Sequence, residues 1–172
     1  MKLIESKTLT TAQTAIEFTS IPQDGTDLVA FITPRLSTSF VADGLQISFN
    51  GITTGFSRRT LSGNGASASS GSASDRFIGD VNAATSTANT FSNMSVYIPN
   101  YTGSQNKSFS VDTVSENNAT TAYQQLVAFL WSNTAAITSI SFSPSSGNLV
   151  AGSTISLYKI TKGTDGIVTT SP

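Results

Sequence analysis

The sequence has no cysteine and no histidine. Without cysteine there is no thiol nucleophile and no disulfide; without histidine the commonest general base near neutral pH is gone, and the usual zinc ligand sets go with both. Charged residues make up only 11% of the chain, under half of the roughly 25% usual in globular proteins. Net charge is −1 and the isoelectric point lies near 5.2. There is no cluster of Lys and Arg to meet nucleic acid and no polybasic patch to meet anionic lipid. The adjacent pair Arg58-Arg59 reads as ordinary surface arginines. No segment approaches the roughly 20 apolar residues of a membrane span, and the stretch from Met1 to Leu9 lacks the roughly 7 to 15-residue apolar core of a signal peptide. The expectation is a protein made in the cytoplasm that uses no cofactor, metal, nucleic acid or membrane.

What is present is a chain of 172 residues, long enough for one domain that buries roughly two-thirds of its unfolded surface without staples. The longest apolar run spans residues 121–132 and holds the only tryptophan. Read with period two, it carries Tyr123, Val127, Phe129 and Trp131 on one face and Leu126, Ala128 and Leu130 on the other. A strand apolar on both faces is expected in the middle of the structure, with Leu126, Phe129 and Trp131 in the core. A short helix with Tyr123, Val127, Leu130 and Trp131 on one side also fits the run, but its strand-like surroundings favour the strand.

Those surroundings are short alternating segments. Leu3 to Leu9 and Ala15 to Ile21 open the series, Leu28 to Thr33 is again apolar on both faces, and Gly44 to Asn50 sets Leu45, Ile47 and Phe49 against Gln46 and Ser48. Arg76 to Val81, Met94 to Ile98, Lys107 to Thr113, Ile137 to Phe142 and Ser153 to Ile160 follow, with Pro22, Pro34, Pro99 and Pro144 as punctuation. About nine to eleven short strands without a convincing helix predict an all-β, antiparallel sandwich or barrel. One domain is expected over residues 1–161, followed by a polar C-terminal tail over 162–172.

Gly63 to Ser74 is almost wholly Gly, Ser, Ala and Asn, buries little and has much backbone entropy to lose. It is expected to be a long mobile loop, with Gly63, Asn64, Gly65, Ser70 and Gly71 as candidates for contact with a neighbouring subunit. Its glycines lack the closing Gly-Lys-Ser/Thr of a phosphate cradle.

Catalytic signals are weak. The nearest acidic pairs are Asp24 with Asp27, Asp75 with Asp80, and Asp112 with Glu116, and no motif sets any pair across a cleft as glycosidic chemistry requires. Ser104 with Lys107 and Ser156 with Lys159 match a Ser-x-x-Lys dyad, but strand residues three apart face opposite ways. Among the aromatics, Tyr101 in the turn Pro99-Asn-Tyr-Thr-Gly103 is expected to be accessible, suited to a glycan contact or to a subunit interface.

Four segments carry a resemblance: Ala15-Ile-Glu-Phe-Thr-Ser-Ile-Pro22, Leu45-Gln-Ile-Ser-Phe-Asn-Gly51, Val96-Tyr-Ile-Pro-Asn-Tyr101 and Ala151-Gly-Ser-Thr-Ile-Ser-Leu-Tyr-Lys-Ile160. With them the chain resembles small β-sandwich structural proteins of tailed bacteriophages, of the kind associated with phages of marine bacteria. The resemblance covers nearly the whole chain in strand and turn text. It implies a jelly-roll-like domain displayed on the virion as a capsid decoration or head-fibre protein, without enzymatic activity. The alternative is a tail-fibre receptor-binding module that takes host surface glycan. Partners are then other virion proteins and copies of the chain itself, with a trimer favoured, since such proteins act as symmetric oligomers. No functional residue is transferred by the resemblance.

Overall fold

Short alternating segments can satisfy their backbone groups only by pairing laterally, and this chain does so in two antiparallel sheets. The computed structural model describes residues 1–118 and 122–161. The strands are β1 (Lys2–Thr8), β2 (Ile16–Phe18), β3 (Asp27–Thr33), β4 (Ala42–Phe49), β5 (Phe56–Gly63), β6 (Ala68–Ala73), β7 (Phe77–Asn82), β8 (Asn93–Ile98), β9 (Lys107–Val114), β10 (Gln124–Trp131), β11 (Ile140–Pro144) and β12 (Thr154–Ile160). A large eight-stranded sheet runs β1-β12-β3-β8-β9-β10-β5-β6, and a small four-stranded sheet runs β2-β11-β4-β7. Among the described residues there is no helix. The predicted tail over 162–172 lies outside the described residues.

The path of the chain explains this order. Set β1 and β12 aside and count the β8–β9–β10 meander as one strand; eight units then remain, ordered 1-8-3-6 in the small sheet and 2-7-4-5 in the large one. This is the wrapped order of a jelly roll, so the expected antiparallel, jelly-roll-like sandwich is the fold. Among the described residues twelve strands form, one more than the upper expectation, and the two that no predicted strand covers are β5 and β6, which carry little apolar alternation.

The core lies between the sheets. Alternation aims Met94, Val96 and Ile98 of β8 and Leu45, Ile47 and Phe49 of β4 into it, while Tyr97 of β8 faces out. Phe49, from the small sheet, packs against Trp131, Phe109 and Phe56 of the large sheet at centroid distances of 5.1, 5.4 and 5.6 Å. Phe109 and Phe129 stack at 4.7 Å across the β9–β10 pair. Offset and edge-on aromatic contacts add to the area they bury, and this cluster ties the sheets together.

Three expectations meet the structure here. Within the run at 121–132, Gln124–Trp131 forms a strand, β10, hydrogen-bonded to β9 and β5, and Phe129 and Trp131 are buried as expected. Leu126 is not in the core; it is 51% exposed and Leu130 is 38% exposed. Being central in a sheet supplies lateral partners only, and the small sheet covers only the inner face, so the second apolar face of β10 is left outside. The outer face of β3 is open in the same way, with Phe31 43% exposed.

The long mobile loop predicted over Gly63 to Ser74 is instead the end of a hairpin. Gly63 pairs with Ala68 and Arg58 with Ala73, so β6 is the last strand of the large sheet. The turn is closed by Asn64, whose Oδ1 accepts from the N–H groups of Ala66 (3.0 Å) and Ser67 (2.8 Å), with Gly65 at φ 82°. Asn-Gly is a hairpin signal, and ladder bonds to β5 give residues 68–73 the order that their side chains do not.

Truncating Phe49 removes the residue that all three large-sheet aromatics share. Phe49→Ala is expected to cost about 3–5 kcal/mol, read as a lower midpoint in urea unfolding; a loss under about 1 kcal/mol would show that the cluster does not join the sheets.

Candidate functional site

The outer face of the large sheet is where alternation leaves apolar side chains of the described strands without cover, Leu61, Leu126 and Leu130 among them. On β10 it presents Leu126, Ala128 and Leu130; the register sets Leu61 of β5 beside Leu126, and Arg59 beside Ala128. On the other side, Asp112 and Ser110 of β9 stand opposite Leu126 and Ala128, and Ser95 and Tyr97 of β8 follow. Small side chains at Ser95, Ser110 and Ala128 thus form a floor between taller walls of Leu61 and Leu126 on one side and Tyr97 on the other. The result is a shallow groove of about 500 Å³. Leu61 is 52% exposed and Tyr97 41%.

Two features orient this groove. The Tyr97 hydroxyl donates to Asp27 Oδ2 at 3.0 Å, which fixes the ring while leaving its face open. Burial, then the hydrogen bond and charge of Asp27, push that phenol above its ordinary value, so it stays a neutral donor near pH 7. Arg59 and Asp112 stand on opposite sides of β10, and neither has an ion-pair partner among the described residues. An apolar strip flanked by a cation and an anion, each without an ion-pair partner among the described residues, can hold a flat partner surface or a sugar ring.

Tyr101 is not part of any such surface. It is fully buried, and its hydroxyl donates to the Pro22 carbonyl and accepts from Gly25 N. Its backbone bonds Thr26 O and Ile137 N at 3.1 and 2.9 Å. The turn folds inward to fasten the loop before β3, and the exposed tyrosine is Tyr97, on the strand entering that turn. Alternation sets Tyr97 opposite Met94, Val96 and Ile98, and that side is open because the small sheet covers only the other one.

The remaining candidates are engaged separately. Asp75 pairs with Arg58 at 2.6 Å, Asp80 bonds Gln125, and Asp24 pairs with Lys159. Asp112 accepts from Gln124 and Glu116 from Asn118 N, so each of these carboxylates is held by a partner other than its sequence neighbour. Ser156 meets Ser6 on the outer face, while Lys159 is buried on the inner one. Lys107 is buried and donates to the carbonyls of Gly103 and Gln105; burial holds its ammonium below the usual lysine value. No group of three or more Asp and Glu side chains among the described residues is placed to hold a metal ion. Gly63, Ser70 and Gly71 lie on β5 and β6, and Asn64 and Gly65 in the short turn that joins them, rather than on one long loop.

No protein-family model matches the chain, and no curated protein matches it. The groove therefore rests on its own geometry.

Two measurements follow. Tyr101→Phe removes the donor to Pro22 and is expected to cost about 1–3 kcal/mol, whereas an unchanged thermal midpoint would show that the bond is idle. Burial pushes the Asp80 carboxyl above its ordinary value of 3.8, the Gln125 hydrogen bond opposes this, and the Asp43 charge adds to it. With the folded value raised, the contribution of Asp80 is fully present below the unfolded value and is lost as pH rises through the folded one. Asp80→Asn keeps an acceptor for Gln125 and is expected to unfold at higher urea than wild type at pH 7, with the advantage vanishing toward pH 3. A variant no more stable at pH 7 would refute this.

Proposed function

We propose that the protein is a non-enzymatic structural component of a bacteriophage virion, a capsid decoration or head-fibre protein that docks through the outer face of its large sheet. The observation that carries this reading is the uncovered apolar groove around Leu126. Contiguous apolar surface on a soluble domain marks an interaction site more often than chance exposure, and a flat sheet face suits a flat partner. The jelly roll supports it by analogy, since capsid and lectin domains share that architecture. So does the low charge, which leaves hydroxyls and amides to keep the surface wet. The phage resemblance names the class of partner: other virion proteins, met on a particle assembled in the host cytoplasm, with copies of this chain alongside.

A second reading is a tail-fibre module that binds host surface glycan. It is favoured by one feature, the open face of Tyr97 over a floor of serine hydroxyls, with Asp112 and Arg59 within the same groove. Here Tyr97 takes the role expected of Tyr101.

Leu126→Glu separates folding from docking, because the side chain touches no core. It is expected to leave unfolding within about 0.5 kcal/mol of wild type and to lower binding to particles lacking the protein at least tenfold, measured by co-sedimentation. Undiminished binding would overturn docking by this face. If instead Tyr97→Ala abolishes binding to host polysaccharide while particle binding persists, the fibre reading replaces it.

A further inference from the structure

The two sheets have four edges, at β1, β6, β2 and β7, and an uncovered edge is a template for another strand. Three are guarded. On β7 the Ile78 carbonyl accepts from Thr113 Oγ1 at 3.2 Å and the Asp80 N–H donates to Gln125 Oε1 at 2.8 Å. Farther along, the Asn82 N–H donates to Ser92 Oγ at 2.7 Å and its carbonyl accepts from Leu36 N at 2.9 Å. The edge of β2 is three residues long, and Lys7 Nζ donates to its Glu17 carbonyl at 2.6 Å. The edge of β1 carries Lys2, Glu5 and Lys7 and is broken by an irregularity between Leu3 and Glu5.

The β6 edge has none of these devices. Its sequence, Ala-Ser-Ser-Gly-Ser-Ala, has no charge and no proline, and its pairing with β5 runs without a register shift. Among the described residues no side chain bonds the backbone of β6, and its first five residues are exposed. We infer that β6 pairs antiparallel with β6 of a second copy about a two-fold axis normal to the sheet, joining two large sheets into one. The inference rests on the reading of the protein as an assembly module.

A second copy is the occupant that fits this edge. A foreign strand gains specificity from pockets for its side chains, and Ala, Ser and Gly offer none. Self-pairing needs only the backbone row, and an isologous contact closes at two copies, where the sequence suggested a trimer. The two-fold sets the outward residues Ala68, Ser70 and Ser72 opposite outward residues of the partner, with no like charges face to face. Hydroxyl pairs across strands are already used in this fold, between Ser6 and Ser156 at 2.7 Å and between Thr8 and Thr154 at 2.9 Å. Leu61 lies beside Ser70, so the apolar groove of each copy flanks the axis and the docking face is doubled.

Sedimentation velocity of the full chain over a concentration series tests this. The native chain is expected to reach the dimer mass, and Ser70→Lys with Ser72→Lys, which opposes lysines across the axis, to halve it with an unchanged thermal midpoint. Because the chain has no other thiol, Ser70→Cys is expected to give a disulfide-linked dimer under mild oxidation, while Ser108→Cys, on the outer face of β9, is not. A native monomer at every concentration, a trimer or larger ring, a lysine variant that stays dimeric, or equal cross-linking at both positions would overturn the pairing. A failed pairing leaves particle binding by the Leu126 face to be judged on its own measurement.

Discussion

The structure depends on Phe49 reaching across from the small sheet into the aromatic cluster of the large one. A jelly roll sends most of its connections from one sheet to the other, so neither sheet is complete until its partner is in place, and the contact between their inner faces must carry the fold. Trp131, Phe109 and Phe56 come from three different strands of the large sheet and meet on that single ring. The small sheet has half as many strands as the large one, so the contact covers one face of the large sheet and leaves the other to solvent or to a partner.

The few cations do much of the work that helices and regular turns do elsewhere. The Arg35 guanidinium donates to the carbonyls of Thr87 and Thr90 at 2.9 and 2.7 Å and of Ser86 at 3.2 Å, holding the long connection between β7 and β8. Lys107 does the same for the turn after β8, and Lys7 for the edge of β2. Carbonyls in the interior need donors, and these side chains supply them. Arg59 stands apart because its side chain serves no such loop, and it faces the groove. A chain with little charge that leaves one arginine and one aspartate without ion-pair partners among the described residues beside the apolar face around Leu126 has placed surface chemistry there.

That face and the β6 edge are neighbours, and together they give the assembly reading its physical content. Pairing at the edge needs only backbone complementarity, while docking on the face needs apolar area and shape. The two contacts do not compete for the same atoms, so a dimer formed through β6 keeps both grooves available.

Alternation of apolar residues determined the all-β class, most strand positions and the inward set of Leu45, Ile47, Phe49, Met94, Val96, Phe109 and Val111, because period-two burial is written directly into a strand. The turn residues marked most strand ends for the same local reason. Three things were decided only by tertiary structure. Leu126 and Tyr101 exchanged places, one outside and one inside, because a strand's pattern does not say whether a second layer covers each face, and a turn's sequence does not say which way it folds. Residues 68–73 became a strand because β5 supplied a ladder, a contribution of the neighbour that their own side chains do not record. The groove itself joins the β8–β9–β10 meander to β5, which lies far earlier in the chain and meets it only through lateral pairing, so no stretch of the chain carries it alone.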